Sequence, residues 1–385
     1  MFTLRDRYCI AGIGHTDYTK RSGRTVLDLA SEACLKASAD AGVPVQDIDG
    51  IVSFNFGDSV PGIAVATALG MPHAHYCVDI AGGGNAANLI VMHAIAAIEA
   101  GLAKTVLCYR AMNGRSGYRL GGGRELAARG ITQYTAPFGW ITYPQAMAMW
   151  CRRHMIRYGT TAEQLGEVAV TCRANATLNP RAMQREPMTM DDYMASRFIV
   201  EPFRLLDICL ESDGACAVLV TSADRAKDMA KPPVYVMGAA YGGGPNQGED
   251  LFDAIRWPEH AENYAKYIAD DLWGGAGVSP KDVDVAEIYD CFTYSVLMQL
   301  EGLGFCKEGE GGSFVQGGRI ARDGELPINT HGGLLSEAYI HGFNHVIEAV
   351  SQLRGDAGER QVRDAEIALT TAGAMTCGSA MVLRR

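Results

Sequence analysis

The sequence has no apolar run long enough to cross a bilayer. Its longest, Leu89 to Ala103, is interrupted by His93 and Glu99, and a spanning helix needs roughly 20 apolar residues. The first residues, Met1 to Arg7, place Arg5, Asp6 and Arg7 before a short apolar stretch, without the core or cleavage pattern of a secretory signal. Cys-x-x-Cys pairs are absent as well. The eleven cysteines are odd in number and scattered, so reduced and mostly buried thiols in a cytoplasm are expected rather than a disulfide framework or a metal site. Basic runs are missing: 34 Lys and Arg against 44 Asp and Glu leave a net charge of −10. Nucleic acid is therefore not an expected partner, and an anionic ligand would need a local basic site. No Gly-x-Ser-x-Gly elbow and no P-loop occurs, which removes the commonest hydrolase and nucleotidase arrangements.

What is present is a chain of 385 residues, 48% hydrophobic and 20% charged, with 45 glycines and 14 prolines. That composition excludes intrinsic disorder and fits two core-forming units or one duplicated fold. Duplication is visible. Ala41-Gly42-Val43-Pro44-Val45-Gln46-Asp47-Ile48-Asp49 recurs 235 residues later as Ala276-Gly277-Val278-Ser279-Pro280-Lys281-Asp282-Val283-Asp284, with five identities. Each copy follows a helical apolar pattern, one through Val26, Leu29, Ala33 and Ala37 with Thr25 as N-cap, the other through Tyr264, Ala265, Ile268 and Leu272. Buried strands ending in glycine precede both helices, at Tyr8 to Gly12 and Val234 to Gly238.

Each half then repeats strand, glycine-rich turn, helix and strand. The first runs from Tyr76–Ile80 through Gly82-Gly83-Gly84 to Thr105–Tyr109, the second from Ile328–Thr330 through Gly332-Gly333 to Glu366–Thr370. The expected fold is α/β, with halves over 1–111 plus 206–232 and over 233–385. A loop lobe, 112–205, is inserted between them and holds Gly121-Gly122-Gly123, the amphipathic stretch Thr161 to Thr177 and the loop from Asn179-Pro180.

Two motifs read as plain structure. Gly12-x-Gly14 lacks the third glycine of a dinucleotide fingerprint and is expected to be a turn; His73-x-His75 lacks further metal ligands and is expected on a surface turn. The informative polar residues follow strands of the second half. Glu287-Ile288-Tyr289-Asp290-Cys291-Phe292-Thr293, Asn329-Thr330-His331-Gly332-Gly333 and Tyr339-Ile340-His341-Gly342 stand where α/β folds present ligand-binding groups, although turn residues around a core tyrosine would read the same way.

The duplicated halves, the lobe and these glycine-bearing blocks resemble the thiolase superfamily over essentially the whole chain, in particular its sterol-carrier-protein or lipid-transfer-protein branch. Lobe segments such as His154-Met155-x-x-Tyr158-Gly159, Glu163-Gln164-Leu165 and Asp213-Gly214-Ala215 look like that branch too. The resemblance implies thiolase-like duplicated α/β/α halves layered αβαβα. Against the family pattern, Ala81 falls where the nucleophilic cysteine should open the Ala81–Ala87 block, and Ala372 where the second cysteine should stand. Tyr289 replaces the asparagine of Asn-Glu-Ala-Phe-Ala, and Tyr339 replaces the histidine of Gly-His-Pro.

Loss of both thiolate positions removes acyl transfer, and two phenols at the enolate-stabilising positions resemble the steroid side-chain aldolases of the branch. The implied reaction is retro-aldol cleavage of a β-hydroxyacyl-CoA, a 17-hydroxy steroid side chain giving a 17-ketosteroid and propionyl-CoA. Tyr289 and Tyr339 are the expected catalytic pair, with His331, His341, Asp290 and Asn329 in support. A neighbouring imidazole is expected to lower the pKa of Tyr339 so that it takes the hydroxyl proton, while Tyr289 serves the enolate. No cofactor or metal is expected, coenzyme A being the substrate's thioester handle. The resemblance further implies a homodimer, and a complex with a zinc-ribbon/OB-fold acyl-CoA-associated protein that can belong to a hydratase. The competing readings are a catalytically degenerate thiolase serving as acyl-CoA carrier or hydratase scaffold, and a thiolase using a displaced cysteine such as Cys77 or Cys377.

Overall fold

A computed structural model describes residues 5–117, 119, 132–140, 142–245, 257, 259 and 261–385. The Gly121–Gly123 run and Met1 to Leu4 lie outside the described residues. The strands are β1 (Tyr8–His15), β2 (Gly50–Asn55), β3 (Tyr76–Ala81), β4 (Thr105–Asn113), β5 (Phe198–Val200), β6 (Phe203–Arg204), β7 (Asp213–Ser222), β8 (Val234–Gly243), β9 (Val285–Glu287), β10 (Ile367–Gly373) and β11 (Cys377–Arg384). Nine of them are hydrogen-bonded in the order β3-β2-β4-β7-β1-β8-β11-β10-β9, and β5 pairs with β6 in a separate ribbon.

The order is palindromic about the β1/β8 seam. β1, β2, β4 and β7 of the first half correspond to β8, β9, β10 and β11 of the second, and β3 corresponds to the segment at Ile328, which makes a single parallel bridge to Ala286. The expected strand at Ile328–Thr330 is no more than this bridge, because Pro327 has no N–H to donate and Asn329 turns to φ 50°. At the seam Cys9 pairs with Tyr235 and Ile10 with Val234, and the Asp6 N–H donates to the Val236 carbonyl at 3.0 Å. Helix Val26–Ala41 covers β1, β4 and β7 outside one half, and helix Tyr264–Ala276 covers β8 and β11 outside the other. Helices Ala87–Glu99 and Phe343–Arg354 touch strands of both halves and form the middle layer. Asn88 ties that layer in, its Nδ2 donating to the Thr370 and Ser379 carbonyls at 3.3 Å.

The repeated residues have repeated work. Gly42 and Gly277 close their helices in the left-handed region at φ 69° and 68°. Asp49 accepts from the Lys104 and Thr105 N–H groups at 2.8 and 2.9 Å, and Asp284 accepts from Glu366 and Ile367 at 2.8 Å, so each carboxylate registers the strand that follows in parallel. Gly12-x-Gly14 is not a turn. Both residues lie inside β1, where a Cβ on Gly12 would overlap the Ala37 carbonyl oxygen and one on Gly14 the Ala33 carbonyl oxygen. Its counterpart Gly238 would place a Cβ 2.6 Å from the Ala276 nitrogen. His73 and His75 are exposed in the irregular segment before β3, and the amphipathic lobe segment is the helix Ala162–Thr177.

Gly12→Ala should therefore cost about 1–3 kcal/mol of unfolding free energy in urea titrations, as expected of overpacking against rigid backbone. Gly274→Ala, exposed in a helix with nothing within 4 Å of its Cβ, should be neutral or gain up to about 1 kcal/mol; equal effects would refute close helix packing at Gly12.

Candidate active site

The strand β9 ends at Glu287, and the chain is then clamped before helix Thr293–Gly302 begins. Ile288 N–H donates to Asn329 Oδ1 at 2.7 Å and Asn329 Nδ2 donates back to the Ile288 carbonyl at 2.9 Å. Tyr289 N–H donates to Thr371 Oγ1 at 2.9 Å, while its carbonyl accepts from Ser295 Oγ at 2.9 Å and Gln299 Nε2 at 2.8 Å. Tyr339 is anchored through its N–H to Ser212 Oγ at 3.0 Å. So held, the two phenol oxygens stand 2.9 Å apart. They line a cavity of about 850 Å³ whose apolar wall includes Met112, Met183, Leu206, Ile208 and Leu335.

Among the sequence-derived candidates, Tyr289, Tyr339 and His341 reach this cavity, whereas Asp290, Asn329 and His331 stand behind it. Asn329 is the clamp just described. Asp290 accepts from the Leu334 and Leu335 N–H groups at 2.8 and 3.3 Å and so builds the Gly333–Ser336 turn. Ala81, expected at the position of the lost nucleophilic cysteine, is exposed at the end of β3 and borders a depression with Asn55, Gly57 and Asp79, away from the phenols. The residue that meets the pair is Gly84, where a Cβ would overlap the Tyr289 hydroxyl. Three consecutive glycines leave the register of that block open in sequence. Ala372, expected at the second lost cysteine position, is buried in β10 opposite Ser379, and the cavity is lined by the next residues, Gly373 to Cys377.

Burial raises both phenols well above their ordinary pKa, and for Tyr289 the neighbouring Tyr339 adds to the rise. The expected low-pKa phenolate is thus not what this site holds. His331 is turned away, and His341 is neutral, pulled down to about 3 by burial and by the Arg110 charge. Burial also lifts the thiols of Cys209 and Cys291, which line the cavity, and thereby keeps them out of the nucleophilic thiolate form. None of the eleven cysteines is in a disulfide. The lining carries the cations Lys20, Arg115, Arg119, Arg173 and Arg197, with Glu211 the partner of Arg119 at 2.5 Å. They come from separate stretches, Lys20, Arg115 with Arg119, Arg173 and Arg197, which is why no basic site was legible in the sequence.

Behind the cavity lies a buried charge cluster. His331 Nδ1 is 2.9 Å from Glu287 Oε2 and its Nε2 is 3.6 Å from Glu337; His345 Nε2 is 3.3 Å from Asp290. Glu287, His331 and His345 place one donor atom each within 4.8 Å of one another, the grouping among the described residues with metal-ligand spacing, yet none of the three opens on the cavity. Burial disfavours the imidazolium of His331, but the Glu337 and Glu287 charges hold its pKa up at about 9; burial likewise opposes the Glu287 carboxylate, which His331 brings down to about 2. The Glu287 contribution to stability is present above its unfolded pKa and is lost as pH falls through 2, whereas that of His331 is complete below pH about 6.5 and is lost as pH rises through 9. The urea midpoint should fall between pH 6.5 and 9, and His331→Gln should flatten that decline; a wild-type midpoint rising over this interval would refute a charged His331.

Comparison with known proteins agrees with this architecture. Residues 256–385 match the thiolase C-terminal domain-like family. The chain is 42% identical to a steroid side-chain-cleaving aldolase of Thermomonospora curvata, covering 100% of this chain and 99% of the relative. It is also 42% identical to the 17-hydroxy-3-oxo-4-pregnene-20-carboxyl-CoA lyase of Mycobacterium tuberculosis, covering 99% of this chain and 100% of the relative. The solved structure of an Ltp2-ChsH2(DUF35) aldolase superposes with a TM-score of 0.93 at 41% identity, over 100% of this chain and 99% of that one. With its nine-stranded duplicated fold and paired phenols, the chain belongs to the thiolase-like family of steroid side-chain-cleaving aldolases.

Proposed function

We propose that this enzyme breaks the Cα–Cβ bond of a 17-hydroxy steroid side-chain CoA thioester, releasing a 17-ketosteroid and propionyl-CoA. The observation that carries the reading is the Tyr289–Tyr339 pair, 2.9 Å apart in the cavity wall and faced by a glycine rather than a thiol. An apolar wall suits a steroid skeleton, and the lining cations suit the phosphates of the coenzyme A handle.

Because both phenols are protonated, the reaction must conserve their protons. Tyr339 accepts the 17-hydroxyl proton as it passes its own to Tyr289, and Tyr289 delivers a proton to the α-carbon. The electron pair of the breaking bond enters the thioester enolate, and the C–O bond at position 17 becomes the ketone. Each phenol ends as it began, so no thiolate, acyl-enzyme or redox step is involved.

A homodimer and a zinc-ribbon/OB-fold partner belong to the same proposal. β3 lies at one edge of the sheet, where a second copy could extend it. The lobe exposes Phe138 at 88% and Ile156 at 73%, apolar surface suited to a partner, and the Ltp2-ChsH2(DUF35) aldolase structure, which this chain resembles, supports a partner of that kind.

Tyr289→Phe and Tyr339→Phe should each lower turnover by roughly two to four orders of magnitude, the range for a positioned acid or base, with folding and assembly retained. In solvent deuterium, Tyr289→Phe should also lose α-exchange into propionyl-CoA. Full activity in both variants would refute the assignment. Iodoacetamide should leave most cleavage intact, whether or not the partner is present; inactivation with carboxymethylation of Cys377, which lines the cavity and accepts from Asn85 at 3.3 Å, would restore the displaced-thiolase reading. Binding of the thioester without ketone release, with the partner supplied, would favour the carrier.

A further inference from the structure

Arg110, on β4, is fully buried, and the phenol chemistry makes no use of it. Its guanidinium lies 2.5 Å from Asp58 Oδ2, donates to the Ala111 carbonyl at 3.0 Å, and reaches His341 Nδ1 through Nε at 3.1 Å and Nη2 at 2.9 Å. Phe54 packs beneath, 5.2 Å from the guanidinium carbon and 6.1 Å from the imidazole centroid. His341 itself adopts φ 51°, a left-handed conformation that is uncommon outside glycine.

The tautomer follows from donor counting. Arginine has donors only, so the ring nitrogen it faces must present a lone pair; His341 is then a neutral imidazole with its proton on Nε2. Nε2 is not among the buried atoms lacking partners, and His341 lines the cavity, with its ring perpendicular to that of Tyr339 at 4.9 Å between centroids. The charged and titratable groups against His341 are Arg110 on β4, Asp58 on the loop after β2, and Tyr339 on its own segment.

We propose that His341 donates its Nε2 hydrogen to the substrate oxygen that Tyr339 deprotonates, and that the Arg110–Asp58 pair is the positioning device that keeps the proton on that nitrogen. The inference rests on the assignment of Tyr339 to the hydroxyl. As the hydroxyl proton leaves and the carbon–carbon bond breaks, charge develops on this oxygen, and a fixed N–H in a largely apolar cavity wall stabilises it. An imidazolium would instead give its proton away and hold the oxygen as hydroxyl, so a neutral ring is the useful form.

The test reads the ring directly. In the full-length enzyme with 15N-labelled histidine, long-range proton–nitrogen correlation should show His341, assigned by its loss in His341→Gln, as the neutral Nε2–H tautomer throughout pH 5–9. In Arg110→Met the same ring should mix tautomers and titrate, and kcat/KM should acquire an acidic limb absent from wild type. His341→Phe should lower kcat by roughly 10²–10³, as for a lost oxyanion donor, with little change in KM, and His341→Gln should restore turnover to within about tenfold of wild type through its amide N–H. A titrating or Nδ1-protonated His341 in wild type would overturn the proposal, and so would a wild-type kcat in His341→Phe. Should Arg110→Met fail to fold, the wild-type spectrum and the His341 variants still decide. Failure of wild type to cleave any β-hydroxyacyl-CoA would refute the aldolase reading, a result distinct from a wrong tautomer.

Discussion

The contact between the Gly84 backbone and the Tyr289 phenol governs this structure, because it is made across the two halves. Gly84 belongs to the turn that opens the first half's middle helix, and Tyr289 follows the strand β9 of the second. Any side chain at Gly84 would occupy the space of the hydroxyl. The phenol pair and the absence of a nucleophile opposite it are thus one steric fact: the volume that a cysteine side chain would fill is taken by the tyrosine oxygen.

That placement depends on a clamp with no chemistry of its own. Asn329 exchanges two hydrogen bonds with Ile288, and Thr371, Ser295 and Gln299 fix the Tyr289 backbone from β10 and from the following helix. Because the middle-layer helices contact both half-sheets, the site inherits the rigidity of the whole layer rather than of one loop. The short seam between β1 and β8 would be a weak joint without them.

Charge is arranged in two compartments. Around the phenol pair the groups are held neutral, both phenols and the Cys209 and Cys291 thiols being raised by burial and His341 lowered by burial and Arg110, while the charges of the lining are Lys20, Arg115, Arg119, Arg173, Arg197 and Glu211. Behind it, Glu287, His331 and Glu337 stay ionised because each is opposed by an opposite charge; Arg181 at 3.1 Å from Glu337 and Arg360 at 2.9 Å from Glu348 extend the network. The division suits proton transfer between groups of similar acidity, since neither phenol is drawn off by a nearby full charge.

Local rules made much of this legible. The recurrence at 235 residues is the duplication itself, because a left-handed glycine cap and a strand-registering aspartate impose the same residues wherever the same corner is built. Tyr289 and Tyr339 could be picked out only through the resemblance to the thiolase family, which puts them at the positions of its asparagine and histidine. Tertiary structure alone decided the rest. Gly12 and Gly14 read as a turn because sequence cannot show a helix pressed against their strand. His331 and His341 looked equivalent as neighbours of Tyr339, yet one faces carboxylates and the other a guanidinium, groups that arrive from distant segments. Protonation state follows from such neighbours and from burial, and neither is encoded by spacing along the chain.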